Sequence, residues 1–146
     1  MHEQGVHRTT LAEVAERADV PLGNVYYYFK SKDDLVRAVL EGYQEQAGVL
    51  IAAFERHRSP QARLKALVHN WGDMRDEVAR HGCPMGSLCA ELDKLDGGAE
   101  RDAAAVMARI IDWAEDQFRQ LGRRDAHDLA VTLFAGIQGA ALLANT

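Results

Sequence analysis

The chemically richest stretch of this chain is the run Gly23-Asn24-Val25-Tyr26-Tyr27-Tyr28. Val25 and Phe29 stand four apart, the spacing that puts two side chains on one face of a helix, and they read as its inward side. Gly23, Asn24, Tyr27 and Tyr28 then point mainly the other way, with Tyr26 between the faces. An outward asparagine can hydrogen-bond a base edge. A phenol offers an aromatic face to a sugar or thymine methyl and a hydroxyl to a phosphate. Gly23 lets a backbone approach a groove closely. Leu22 precedes the run, and Lys30 and Lys32 follow as candidate phosphate contacts. The alternative use of three tyrosines is as half-buried aromatics of an interface. The chain has no Gly-rich phosphate loop, no metal-ligand cluster and no nucleophile with a base at recognisable spacing. Neither an enzyme nor a cofactor or metal is therefore expected.

The neighbouring residues supply the elements that must hold this run outward. Thr10-Leu11-Ala12-Glu13 has the form of a capping box, in which hydroxyl and carboxylate satisfy each other's backbone N–H groups. Leu11, Val14, Ala15 and Ala18 then make an apolar stripe. Asp19-Val20-Pro21 breaks it, with Val20 expected to plug the core beneath the turn and Pro21 to open the next helix. Residues 10–32 thus read as a short helix, a tight turn and a second short helix. Ser31 with Asp34 repeats the capping box and opens a long amphipathic helix expected over 31–57. Its stripe is Leu35, Val36, Val39, Leu40, Tyr43, Ala47, Leu50, Ile51 and Phe54, with Gly42 and Gly48 as weak points.

The segments AEVAERADV and GNVYYYFKSK resemble the N-terminal domain of TetR-family repressors. That pattern joins an Ala-Glu-x-Ala-like second helix to a Tyr-Tyr-x-Phe-x-x-Lys third helix, and the match runs from Gly5 to about Leu40. The resemblance implies a homodimer that places two recognition helices in successive major grooves of a palindromic operator on double-stranded DNA. It implies Thr9 or Thr10 on phosphate, Leu22, Gly23, Asn24, Tyr26, Tyr27 and Tyr28 as the recognition surface, and Lys32 on phosphate. Leu22 stands where the family often has a basic or small residue, and Tyr28 where it often has histidine. The family's full first helix is represented only by His2-Glu3-Gln4, read as a last turn ended by Gly5. A truncated or misassigned start is therefore expected, leaving the undersides of Leu11, Val14, Val25 and Phe29 without a partner.

The rest reads as a helical body. Ser59-Pro60 caps a helix whose inner side is Leu64, Leu67, Val68, Trp71, Met74 and Val78. His81 to Leu92, HGCPMGSLCAEL, resembles the GCPxGxLxxEL element of a TetR subgroup with LmrA/YxaF-like C-terminal domains, which implies a bend near an effector cavity. Gly82 and Pro84 stop one helix, and Gly86-Ser87 are expected to begin the next. The candidate lining of an apolar small-molecule site is Trp71, Met74, Val78, Met85, Leu88, Cys89, Met107, Ile110 and Ile111. Cys83 and Cys89 are read as buried and inert, the alternative being sensors of oxidants or electrophiles. Glu91 is read as a solvated or capping residue. After a loop at Asp96-Gly97-Gly98, a helix is expected from about Ala99 to Leu121. Another starts near Asp125 and presents Leu129, Leu133, Gly136, Ile137, Gly139 and Ala140. By resemblance this face is half of a four-helix dimer interface, whose final helix is expected to be missing.

Composition sets the outer bounds. Hydrophobic residues make up 47 % of the 146, prolines number only 3, and no Val/Ile/Thr run has period two. These favour an all-α protein: an N-terminal helix-turn-helix over 1–46 and a C-terminal ligand-binding and dimerisation domain over 47–146. No apolar stretch is read as approaching the ~20 residues that span a bilayer, and no export signal is visible, so a cytoplasmic protein with no membrane partner is expected. The net charge of -5 argues against nucleic acid, unless a few residues make a local basic edge. The expected function is a transcriptional regulator, a repressor released from its operator by a small, largely apolar effector. The alternatives are a truncated helical protein acting only through protein association, or a cysteine-based redox or electrophile sensor.

Overall fold

Every regular element among the residues that the computed structural model describes, 4–92 and 99–146, is a helix. In chain order these are α1 (Gly5–Arg8), α2 (Leu11–Arg17), α3 (Leu22–Tyr28), α4 (Lys32–Phe54), α5 (Pro60–Asp73), α6 (Arg75–His81), α7 (Pro84–Leu92), α8 (Ala99–Gln120) and α9 (Ala126–Ala144). The all-α fold class holds. The loop expected at Asp96-Gly97-Gly98 lies outside the described residues, as do His2 and Glu3.

Both capping boxes form. The Glu13 N–H donates to the Thr10 hydroxyl at 3.2 Å, and the Thr10 N–H donates to the Glu13 carboxylate at 2.8 Å. At α4 the Asp34 N–H donates to the Ser31 hydroxyl at 3.1 Å, and the Ser31 N–H returns to Asp34 at 3.0 Å. The Thr10 backbone N–H, then its hydroxyl, holds the Glu13 carboxyl below its ordinary range. The Ser31 hydroxyl does the same for Asp34, helped by the Ser31 and Lys30 backbone N–H groups. Ser31→Ala is expected to cost about 1 kcal/mol, with Ser31→Asp close to wild type. Urea unfolding of the two variants checks this; equal midpoints for Ser31→Ala and the wild type would remove the cap's contribution.

Helix α4 touches three of the four apolar clusters. At its start, Leu35 joins Leu11, Ala15 and Val25, with Val14 and Phe29 packed beside them. Leu35 is thus the partner that the undersides of α2 and α3 were expected to lack. One turn on, Val36 and Leu40 meet Val6, Leu88, Leu92 and Ala103, which binds α1, α4, α7 and α8 together. Further along, Ala47 and Phe54 enter the main core with Leu64, Leu67, Ile110, Trp113, Ala114, Ala130 and Phe134. The boundary expected between residues 46 and 47 falls inside this uninterrupted helix. Gly48 accommodates Arg109 of α8, whose guanidinium would lie 2.8 Å from a Cβ there.

Several local expectations are corrected. Val20 does not plug the core; it is 39 % exposed. Asp19 takes a left-handed conformation (φ 53°), with Val20 N–H to Ala15 O at 3.0 Å and Asp19 N–H to Glu16 O at 3.1 Å. This double closure ends α2 and swings Val20 outside. Gly5, left-handed at φ 82°, begins the single turn α1, and the last turn expected before it falls mostly on residues outside the described ones. The helix expected to run from Pro60 through Val78 breaks at Met74 (φ -88°, ψ 4°), which caps α6. Helix α7 begins at Pro84 rather than at Gly86-Ser87, because proline is favourable at a first helical position. Helix α9 is also long and apolar enough, by length and composition, to cross a bilayer. Its Ala130 and Phe134 are buried in the main core, while only 22 % of that apolar window is buried in all.

Candidate nucleic-acid interface and its linked cavity

The capped turn of α2 and the left-handed closure at Asp19 present α3 with its polar side outward. Val25 is 7 % exposed and faces the core, whereas Tyr27 and Tyr28 are 73 % and 74 % exposed and Tyr26 is 49 %. Asn24 is exposed, Leu22 is 41 % exposed, and open space surrounds the Cα of Gly23. The Tyr27 and Tyr28 rings meet edge-to-face, with centroids 5.0 Å apart. Three aromatic rings in water on a seven-residue helix are costly to leave without a partner.

Both candidate lysines are held at helix ends. The Lys30 ammonium donates to Tyr26 O at 2.8 Å and Tyr27 O at 3.1 Å, closing α3, and lies 5.7 Å from the Tyr27 ring centroid. The Lys32 ammonium donates to Val6 O and His7 O, each at 3.1 Å. Placing positive charge on C-terminal carbonyls is favourable, and a phosphate oxygen would have to compete for it. The Thr10 hydroxyl is exposed within its capping box. Thr9 does not fit its expected role. It is 2 % exposed and its hydroxyl donates to Gly5 O at 2.7 Å, because the chain turns inward there to end α1.

A cavity of about 270 Å³ lies between α4, α5, α7 and α8. Of the nine residues expected to line it, Trp71, Met74, Met85 and Ile110 do so. The other five do not. Val78 packs with Cys83 and Ala141, and Leu88 with Val6 and Leu40. The Cys89 thiol donates to Ala103 O at 3.4 Å. Met107 and Ile111 pack on the main core. The rest of the lining was missed by sequence reasoning: Tyr43, Gln46, Ala47, Val49, Leu50, Ile51 and Phe54 of α4, Leu67 and Asn70 of α5, and Pro84 of α7. A signal was present in the amides of Gln46 and Asn70, which sit beside otherwise apolar stripes. None of the described lining residues carries a formal charge. Burial, then the two cysteines, pushes the Tyr43 phenol above its ordinary pKa, so it stands there as a neutral group.

The cysteines are poorly placed for sensing. Cys83 is 6 % exposed, and its sulfur accepts from the Gly86 N–H at 3.2 Å. Burial, then Cys83, pushes the Cys89 thiol up, the opposite of an activated thiolate. Among the described residues no group of three or more His, Cys, Asp or Glu side chains is placed to hold a metal.

On α9 the expected association residues divide. Leu133 and Ile137 pack on the chain's own core, and Leu129 is half-buried. Gly136, Gly139 and Ala140 are exposed, in company with Val131, Leu142 and Leu143.

Comparison with known proteins agrees with this geometry. Residues 1–39 match the family model of bacterial regulatory proteins, tetR family, and residues 60–146 match the transcriptional regulator LmrA/YxaF-like C-terminal domain. A BetI regulator from Burkholderia thailandensis is 42 % identical over 141 residues, covering 75 % of this chain and 71 % of that protein. An HTH-type regulator from the lacX 3′ region of Lactococcus lactis is 30 % identical over 100 residues. That match covers 66 % of this chain, which spans only 50 % of the Lactococcus protein. The crystal structure of a TetR regulatory protein from Rhodobacter sphaeroides superposes with a TM-score of 0.86 at 25 % identity, covering 99 % of this chain and 82 % of that one. The chain belongs to the TetR family of helix-turn-helix transcriptional regulators, and it is not an enzyme.

Proposed function

We propose that this regulator is a repressor, bound as a homodimer to a palindromic operator and released by a small uncharged effector. The observation that carries this is the reach of α4. Its start packs under the outward tyrosine helix through Leu35, and its second half, from Tyr43 to Phe54, forms one wall of the cavity. A ligand that favours one position of α4 therefore also favours one spacing of the recognition helices, the minimal requirement for coupling the two sites. The DNA contacts are Leu22, Gly23, Asn24, Tyr26, Tyr27 and Tyr28, with Thr10, Lys30 and Lys32 toward phosphate. The exposed strip Val131, Gly136, Gly139, Ala140, Leu142 and Leu143 is the dimer face, small enough at its centre for close helix contact.

The effector class follows from the lining. Burying an unpaired ion against Trp71, Phe54, Leu67 and Met85, with only two amides and a neutral phenol nearby, is strongly unfavourable. The ligand is mostly apolar with one or two hydrogen-bonding groups for Gln46, Asn70 or Tyr43.

The test uses prodan, a neutral naphthalene dye with one ketone, beside a quaternary-ammonium and a carboxylate analogue of the same skeleton. In a Trp113→Phe background Trp71 is the single tryptophan and reports occupancy directly. Prodan is expected to quench Trp71 and to bind at least about tenfold more tightly than either charged analogue. It is also expected to weaken gel-shift binding to duplexes from upstream of the protein's own gene. Charged analogues binding as well as prodan would overturn the effector class. Occupancy that leaves DNA affinity unchanged would overturn effector release.

A further inference from the structure

Besides α4 and the apolar cluster around Val6, a carboxylate of the body hydrogen-bonds the DNA-reading half. The Val6 N–H donates to Glu91 Oε2 at 2.6 Å, joining residues 85 positions apart. The fit is built in on both sides. Gly5 has φ +82°, and a Cβ there would lie 2.7 Å and 2.9 Å from the two Glu91 oxygens, so only glycine admits the carboxylate so close to the backbone. Val6 itself is 2 % exposed, and its carbonyl accepts from Lys32 at the start of α4. One residue is thus gripped by α7 through its N–H and by α4 through its C=O.

Helix α7 carries both ends of the link. Pro84 and Met85, at its start, are walls of the cavity. Leu88, Glu91 and Leu92, further along, hold α1. Nine residues of helix make a rod of about 13 Å, too short to bend between its ends. A small crevice beside the Glu91 contact is lined by Val6, Val39, Tyr43, Pro84, Ser87, Leu88 and Glu91. Tyr43 and Pro84 line this crevice and the cavity alike, so they form the partition between them.

We propose that Glu91 is the positioning residue that reports cavity occupancy to the DNA-reading half. A ligand entering between Tyr43 and Pro84 displaces α7 along its axis, and Glu91 leaves Val6. The turn α1 then loses its hold on the body, and α4 is free to take the position that DNA disfavours. The proposal rests on the effector reading above and adds the contact through which that reading would operate.

The test follows the Val6 amide by NMR hydrogen exchange in the full chain, with prodan as the probe and Trp71 quenching as the measure of occupancy. Saturating prodan is expected to lower Val6 protection by about tenfold or more while the Glu13 amide, capped within α2, is unchanged. In Glu91→Ala the Val6 amide is expected to be unprotected from the outset. Prodan then changes nothing there, and by linkage its affinity is expected to rise by about the tenfold factor that it removes from Val6 protection in the wild type. Glu91→Gln, which keeps an oxygen acceptor, is expected to restore most of the protection and of the prodan response, and serves if the alanine variant fails to fold. A merely structural Glu91 would lower the melting temperature and leave the prodan response at Val6 intact, which overturns the proposal. Full occupancy of the wild type without change at Val6 overturns it too, and leaves the effector cavity standing. A wild type that binds no prodan removes the cavity reading and this proposal together.

Discussion

Replacing Tyr27 and Tyr28 together by alanine is expected to weaken operator binding by about 100-fold and to leave the unfolding midpoint nearly unchanged. The two effects separate because the rings make almost no contact with the protein that carries them. Each is about three-quarters exposed, and the edge-to-face pair they form is with each other. Surface substitutions of this kind usually change stability by no more than about 0.5 kcal/mol. Against nucleic acid, each aromatic ring or good base contact is worth about 1–3 kcal/mol, so losing two gives a factor of about 30 at the low end, and about 1.4 kcal/mol for each gives the factor of about 100. Phenylalanine at both positions keeps the rings and removes the hydroxyls, which divides the loss between stacking and hydrogen bonding. The salt dependence provides an internal control. Removing the tyrosines should leave the slope of log affinity against log salt unchanged, whereas Lys30→Ala should reduce it by about one phosphate's share. Gel shifts over a salt series, with urea unfolding alongside, decide the matter. Undiminished affinity in the double alanine variant would mean that the exposed rings serve something other than DNA.

What the sequence made legible is what neighbouring residues decide among themselves. Capping boxes, Pro60 behind Ser59 and the stripe of α4 are local, and the structure places them within a few residues of expectation. So is the outward face of α3, since Val25 and Phe29 leave the tyrosines no inner side to occupy. The break at Met74 was signalled only by Gly72, a single glycine in the last turn of α5. The cavity was half legible, because a void belongs to a pair of diverging helices and not to either one. The stripe of α4 gave Leu50, Ile51 and Phe54 as buried, but only the packing of α5 and α7 decides which of them face empty space. Glu91 reads as a solvated or capping residue, yet the N–H it meets lies in another helix, and no periodicity reaches that far. Gln117, 2 % exposed in the last turn of α8, was missed for the same reason.

Gln117 belongs to the network behind the second large effect. Trp113→Ala is expected to cost about 3–5 kcal/mol, a large part of the 5–15 kcal/mol that holds a domain of this size together. The Trp113 ring is 9 % exposed and lies 5.5 Å from the Phe54 ring, at the end of α4. Its Nε1–H donates to Glu55 Oε1 at 2.7 Å. The same carboxylate accepts from Gln117 Nε2 at 3.3 Å and pairs with Arg63 at 3.2 Å, while Arg63 also donates to Gln117 Oε1 at 3.2 Å. These bonds fasten the last turn of α4 to α5 and α8. Truncating the tryptophan opens a large void and withdraws one of Glu55's donors. Trp113→Phe keeps most of the ring and loses only the donor, so its cost should be about 1 kcal/mol, because Glu55 retains Arg63 and water. Urea unfolding of the two variants measures the difference. Equal losses would place the value of Trp113 in its hydrogen bond, not its ring. The expected wide gap would mean that α4 is anchored mainly by packing, with the polar network fixing only its direction.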